Sequence, residues 1–371
     1  MDNPGCAGEQ IEDPVRCTRC ILPETYPNIR FDGEGVCNVC REYDRDWAEW
    51  RMRGERSARE DLEAILSRVR RLHRRYDALV PLSGGKDSTY VLYLARKLLK
   101  LKVLAATFDN GFQSQQAADN IRNAVRILDV DLVTVKPQWS LMKKLYRTFL
   151  LNAGEFCTPC NIGITEMIDR LARQERIPLV LQGNSRRSDE NSPKEIYHCS
   201  QRYFARVVRT CGIENELEGS LYEGALESVS FAGRVSRRLG RMANARHLFR
   251  LASHPLLLSI PDYFEWREAE IYPVLHDELE WQAATKLKEH SDCRMNEAKC
   301  HLRTLRRGFG SKTQKLAALV RDGQIDRQTA LGGIAGECDE PAAFGNLLSE
   351  LDLDRSHVAD IRRNYHMSYV G

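Results

Sequence analysis

No stretch of the 371-residue chain approaches the roughly eighteen consecutive apolar residues that a membrane-crossing helix needs, and the most apolar short run is only Pro255 to Ile260. The opening residues, Met1-Asp2-Asn3-Pro4-Gly5, lack the basic head and apolar block of a secretory signal. These two absences predict a cytoplasmic chain with no membrane partner. A lopsided charge is missing as well: 55 Lys and Arg against 52 Asp and Glu leave a formal +3, too little to imply nucleic acid by itself. Acids are absent only locally, between Glu227 and Asp262, where Arg234, Arg237, Arg238, Arg241, Arg246 and Arg250 gather. A solvated helix face, an acidic substrate, a phosphate and RNA all remain open as reasons for that interval. There is no internal repeat and no low-complexity tract. With 42% hydrophobic and 29% charged residues, the composition is that of a globular protein longer than one ordinary domain.

What the chain does have is cysteine, twelve in all. In a long chain without a signal they point to metal or redox sites and not to a disulfide framework. Cys17-Thr18-Arg19-Cys20 is followed, sixteen residues later, by Cys37-Asn38-Val39-Cys40. Two such pairs can bring four thiolates to the corners of a tetrahedron, the arrangement of a structural zinc site, and Pro23, Pro27, Gly33 and Gly35 suit a loop-rich ribbon between them. An iron–sulfur centre or unrelated thiols are the alternatives. Four protein ligands close the coordination shell, so this ribbon is expected to organise structure and not to catalyse.

After an amphipathic helix expected between Trp47 and Arg75, Tyr76 to Leu82 reads as an apolar strand, Ser83-Gly84-Gly85-Lys86-Asp87-Ser88 as a loop and Thr89 to Leu99 as a helix. Strand, glycine loop and helix together cradle phosphate: the backbone approaches closely, helix-start amides face the anion and a lysine neutralises it. The spacing is not that of a Walker A loop. The hexad resembles the PP-loop of the ATP pyrophosphatases. That resemblance implies ATP bound with magnesium, attack of an acceptor oxygen on the alpha phosphorus, release of pyrophosphate, and displacement of AMP by nitrogen or sulfur. It assigns Ser83, Gly84, Gly85, Lys86 and Ser88 to phosphate, Lys86 and Asp87 to catalysis, and Asp87 to magnesium or to organising the loop.

Further strands are expected at Lys102–Asp109, Asp131–Lys136 and Pro178–Gly183, with a helix at Gln115–Leu128. Alternating strands and helices predict an α/β fold with a doubly wound parallel sheet, whose ligands sit at the carboxyl ends of the strands. Asp109 and Gly183 fall at such ends. By position in the PP-loop proteins Asp109 is a candidate adenosine contact; a turn-capping aspartate is the plain alternative.

Cys157-Thr158-Pro159-Cys160 is open on its own to redox, metal or incidental readings. Its position is similar to that of a pair in the tRNA 2-thiocytidine synthetases, which with a third cysteine hold a [4Fe-4S] cluster. Cys293, Cys199, Cys211 and Cys300 are candidates for the third ligand, and Cys293 is preferred. The whole layout resembles the N-acetyl sugar amidotransferases of surface-polysaccharide biosynthesis, on Cys17 to Pro23 and Cys40, the PP-loop, Gly154 to Cys160, His290-Ser291-Asp292-Cys293 and Arg307-Gly308-Phe309-Gly310. This implies substitution by nitrogen on a small-molecule acceptor, a sugar or heterocycle, with separate glutaminase and ammonia-channelling subunits. The alternative is an iron–sulfur-dependent sulfur transferase with a sulfur donor, acting on a small heterocycle, an amide or tRNA, with tRNA not favoured. A third class, a zinc-ribbon adaptor that binds nucleotide only as a regulator, conflicts with the intact lysine-bearing loop. The segment after the fourth strand, with Arg186, Arg187 and Lys194, departs from the sugar enzymes and leaves the acceptor open.

The expected organisation is a zinc ribbon over 1–50, a linker helix over 51–75, a PP-loop ATP-binding domain over 76–210, a basic insertion over 211–261 and a helical region over 262–371. In the last, helices are expected at Trp266–Leu275, Glu278–Leu287, Thr313–Arg321 and Glu337–Leu351, and His276, His290 and His301 read as packing or surface residues.

Overall fold

Successive strand residues point to opposite sides of a sheet, and in this chain both sides are apolar. In β1 (Ala78–Pro81), Leu79 packs into one cluster while Ala78 and Val80 pack into another; β2 (Val103–Phe108) divides Leu104, Ala106 and Phe108 from Val103 and Ala105 in the same way. A sheet buried on both faces must be covered on both, which is why the strands read as unbroken apolar runs. The computed structural model describes residues 14–184, 200–229, 254–283, 292–334 and 341–367, with positions 235, 238, 239 and 242. Arg186, Arg187, Lys194, Cys199, His290 and the arginines of the basic interval apart from Arg238 lie outside these residues.

The sheet has five strands in the order β3-β2-β1-β4-β5, with β3 at Asp131–Val135, β4 at Leu179–Gln182 and β5 at Leu256–Ser259, and every pairing is parallel. This is the expected doubly wound α/β architecture. Its fifth strand is an addition to the reading from sequence: Leu256–Ser259 pairs with Leu179–Gln182 along the edge. One face is covered by α1 (Asn38–Arg70), α2 (Lys86–Tyr93), α3 (Gln115–Leu128) and α8 (Glu268–Leu279). On the other face lie α4 (Trp139–Ala153), α5 (Cys157–Gln174), α6 (Gln201–Thr210), α7 (Glu223–Glu227), α9 (Asn296–Arg307), α12 (Pro341–Glu350) and α13 (Val358–Met367).

Helix boundaries follow local chemistry. Ser114 caps α3 by accepting from the Ala117 N–H at 3.1 Å, and α4 ends on Gly154 in the left-handed region. α1 starts at Asn38, directly after Cys37, so Cys40 sits in its first turn; Gly54 (φ 72, ψ 165) breaks it midway. α8 stops on Glu280, left-handed at φ 52, so the helix expected over Glu278–Leu287 does not continue through Trp281. The ribbon forms a third, smaller core with α10 (Ser311–Arg321) and α11 (Arg327–Gly333), through Ile21, Leu22, Tyr26, Phe309, Ala317 and Ala330. No helix among the described residues is long and apolar enough to cross a membrane.

Candidate functional site

The strand order reverses direction between β1 and β4, so the loops leaving these two strands open a crevice at the sheet's carboxyl edge, where ligands of such sheets bind. Ser83 to Gly85 leaves β1 there, and α2 starts at Lys86. The loop is tied by its own hydroxyls: Ser83 N–H donates to Ser88 Oγ at 3.2 Å, Gly85 N–H to Ser83 Oγ at 3.3 Å, and Thr89 Oγ1 to the Gly85 carbonyl at 2.8 Å. Gly84 adopts φ +85, and a Cβ there would meet the Ala117 carbonyl oxygen at 2.4 Å. Its own carbonyl accepts from Trp281 Nε1 at 2.9 Å and Asn120 Nδ2 at 3.2 Å. Gly84→Ala is therefore expected to cost about 2–5 kcal/mol, the sum of left-handed strain and a backbone clash. Chemical denaturation checks it, with Gly33→Ala, which meets nothing within 4 Å, as the neutral control.

Around the loop lies a cavity of about 660 Å³. It is lined by Ser83, Gly85, Lys86, Asp87, Ser88 and Gly183, by Cys157, Cys160 and Cys293, and by Phe108, Ile164 and Ile168. Leading N–H groups of a helix have no intrahelical partner, and Gly85 to Ser88 present the start of α2 to this space. Gly183 approaches the loop closely, since a Cβ there would lie 2.8 Å from Asp87 Cβ.

Asp87 and Lys86 pair with each other at 2.8 Å and 2.9 Å. Asp87 Oδ1 also accepts from Trp266 Nε1 at 2.9 Å. Burial works against the Asp87 charge, but Lys86, the Trp266 N–H and Lys315 outweigh it and hold the carboxyl below its ordinary range. Both Asp87 oxygens are thus committed to protein partners. These ties fit the loop-organising alternative expected for Asp87 and leave the magnesium role as an expectation. Asp109 is also redirected. Its carboxylate accepts from Gly111 N–H at 3.0 Å and pairs with Lys136 at 2.8 Å, and it is not among the cavity-lining residues. Neighbouring Asn110 faces the cavity instead.

The three thiols reach the cavity from two segments. Cys157 and Cys160 lie one turn apart at the start of α5, on one face of it. Cys293 sits on a strand-like bridge to Gln113, beside Asp292, whose carbonyl accepts from Ser114 N–H at 3.0 Å. Asn110 Nδ2 donates to Cys160 Sγ at 3.2 Å; Asn110 is itself fixed by Phe112 N–H at 2.8 Å and the Tyr146 hydroxyl at 3.0 Å. Burial pushes Cys157 up to about 11 and Cys293 up to about 12, with Lys299 pulling both the other way. Cys160 is pushed up further by burial, against the Asn110 donation. Of the other candidates for a third ligand, Cys211 closes α6 and Cys300 lies buried within α9, and neither lines the cavity.

Cys17, Cys20, Cys37 and Cys40 are fully buried, with sulfurs 3.9 Å apart for Cys17 and Cys40 and 3.8 Å for Cys20 and Cys37. Four thiolates about 2.3 Å from one zinc ion stand about 3.8 Å apart at tetrahedral corners, so the donor set and its spacing fit that ion. Hydrogen bonds from Cys20, Cys37 and Cys40 push the Cys17 thiol well below its ordinary range. Arg327 Nε holds the carbonyls of Cys17 and Cys20 at 3.3 Å and 3.0 Å, and Tyr43 donates to Asp322. Among the described residues this is the one group whose ligand atoms all lie within 4.8 Å; the cavity thiols are spaced more widely.

Sequence reasoning placed Asn110 at a ligand-facing strand end but missed Trp266, Glu268, Trp281, Lys299 and Lys315 around the cavity. His276 is exposed beside Asp277, and His301 packs on the Phe344 ring.

No protein-family model matches the chain. An uncharacterized protein of Methanocaldococcus jannaschii, MJ1599, is 22% identical over 174 residues, 46% of this chain; the match spans 59% of that relative's length. Among solved structures, the U34-tRNA thiolase NcsA from Methanococcus maripaludis with its [4Fe-4S] cluster aligns over 93% of this chain and 100% of its own, at 13% identity and a TM-score of 0.34. At that TM-score the two folds are not equated.

Proposed function

We propose that this chain is an ATP-dependent sulfur transferase, which converts a carbonyl-type oxygen of its acceptor into an adenylate and lets sulfur displace AMP. The observation that carries the reading is that one cavity of about 660 Å³ is lined both by the glycine loop with Lys86 and by three thiols. The volume lies within the range of small-ligand pockets. Three thiols lining the same cavity as the glycine loop have a direct use in sulfur chemistry, so sulfur is preferred, although Cys157, Cys160 and Cys293 lie within the segments by which the layout resembles the amidotransferases.

In this reading Lys86 and the start of α2 hold the beta and gamma phosphates and stabilise charge on departing pyrophosphate. Asp87 and Trp266 fix the lysine. Asp292, whose Oδ2 lies 3.9 Å from a Cβ built on Gly85, is the carboxylate that faces the loop and the proposed magnesium ligand. Cys157, Cys160 and Cys293 would hold a [4Fe-4S] cluster, for which a spacing wider than that around one ion is fitting; bound by three thiolates, it supplies an open iron for sulfide. Asn110 orients Cys160, and Phe108, Ile164 and Ile168 keep water from the adenylate. The acceptor is a heterocycle or an amide, free or within tRNA.

Anaerobic purification followed by metal and sulfide assay tests this. About four irons and four sulfides per chain, a brown visible spectrum and one zinc are expected; a colourless zinc-only protein returns the chain to nitrogen chemistry. RNA binding that weakens steeply with salt identifies tRNA as the acceptor, and its absence identifies a free small molecule.

A further inference from the structure

Lys86 is not the only ammonium group that lines the cavity. Lys315, from α10 in the helical C-terminal region, lines the same cavity. Between the two stands Glu268, in the first turn of α8: its Oε1 lies 3.2 Å from Lys86 Nζ and 3.1 Å from Lys315 Nζ. A single carboxylate oxygen thus touches both cations. Burial works against the Glu268 charge, but Lys86 and then Lys315 hold its carboxyl below the ordinary range, so it sits between them as an anion.

A tie between α8 and α10 alone would need neither the second lysine nor the cavity. An oxyanion seated between two ammonium groups, beside a glycine loop, is also the geometry in which a phosphate oxygen is held. We propose that Lys315 is a second phosphate-binding residue of this cavity, and that the Glu268 carboxylate occupies the seat that a nucleotide phosphate oxygen takes. This rests on the reading of the cavity as a nucleotide site. Lys86 and Lys315 offset Asp87 and Glu268 one for one, so the pocket is locally neutral; when Glu268 turns aside, one positive charge is uncovered for the incoming polyanion. Its side chain retains 27% of its accessible surface, and a glutamate has the rotamers to make that turn.

Calorimetric titration of the full chain with inorganic pyrophosphate and with ATP tests the proposal. Lys315→Ala is expected to weaken both by about ten- to a hundredfold, the effect of losing a hydrogen bond to a charged group, with Lys315→Arg recovering most of the loss. Glu268→Gln is expected to tighten pyrophosphate binding by about three- to tenfold, because the competing anion is gone. Unchanged affinity in Lys315→Ala, alongside loss of binding in Lys86→Ala, overturns the role of Lys315 and leaves the nucleotide site standing. Weaker or equal binding by Glu268→Gln overturns the shared seat, and that variant decides the matter should Lys315→Ala not fold. Failure of the unaltered chain to bind either probe removes the nucleotide site itself.

Discussion

Lys86→Ala should lower the release of pyrophosphate from ATP by about 10²–10³-fold or more, the usual consequence of deleting a donor aimed at developing charge. The side chain is only 13% exposed, lies 2.8 Å from Asp87 and faces the cavity. Without it, Asp87 keeps the Trp266 N–H and Glu268 keeps Lys315, so the loop loses one member of a four-charge set and not its whole support. Zinc and iron content should be unaltered, since neither cysteine group contacts Lys86. Radiolabelled ATP gives the measurement: AMP and pyrophosphate should appear with the unaltered chain and vanish with the variant. Appearance of ADP, or turnover unchanged in Lys86→Ala, removes adenylation from the proposal.

Cys160→Ser divides the same reaction at its other half. Sulfur incorporation into the acceptor should be lost and the iron content should fall, whereas pyrophosphate release should persist, because the loop is tied by its own hydroxyls and by Lys86 and Asp87 and not by the thiols. A serine oxygen is a harder and poorer ligand for iron than a thiolate. Asn110 would donate to a serine oxygen in place of the sulfur 3.2 Å away and keep its ties to Phe112 and Tyr146. The measurement pairs pyrophosphate release with mass-spectrometric detection of the thiolated acceptor. Full sulfur transfer by the serine variant assigns the thiol a packing role and removes the cluster from the mechanism.

Much of this layout was legible before any coordinates. Apolar runs bounded by turn residues marked β1 to β4, and the helix expected over Gln115–Leu128 has those bounds in the structure. The two N-terminal Cys-x-x-Cys pairs do converge, because their spacing is itself a geometric constraint. β5 escaped notice: Leu256–Ser259 is a short edge strand, half-exposed at Leu257, and its pairing with β4 crosses 77 residues. The helix expected past Glu278 was lost to tertiary geometry, since the chain must turn at Glu280 for the Trp281 indole to reach Gly84, 197 positions away. The sequence left Asp109 open between an adenosine contact and a turn cap, because the end of a parallel strand offers two adjacent polar residues and only the positions of Lys136 and Gly111 favour the cap. Trp266, Glu268 and Lys315 carry no local signal at all; the bond from Trp266 to Asp87 spans 179 positions. Periodicity and motif spacing report on neighbours in the chain, whereas these residues are neighbours only once the C-terminal helices close over the loop.

The eleven-residue helix Ser311–Arg321 has two loyalties. Leu316, Ala317 and Val320 rest on the cysteine knot, while Lys315 extends toward the glycine loop. Whatever firms or slackens the four-cysteine core therefore bears on the same helix that carries an ammonium group of the cavity. Under the proposed function, withdrawing a metal from Cys17, Cys20, Cys37 and Cys40 is expected to weaken the use of ATP before the sheet itself comes apart.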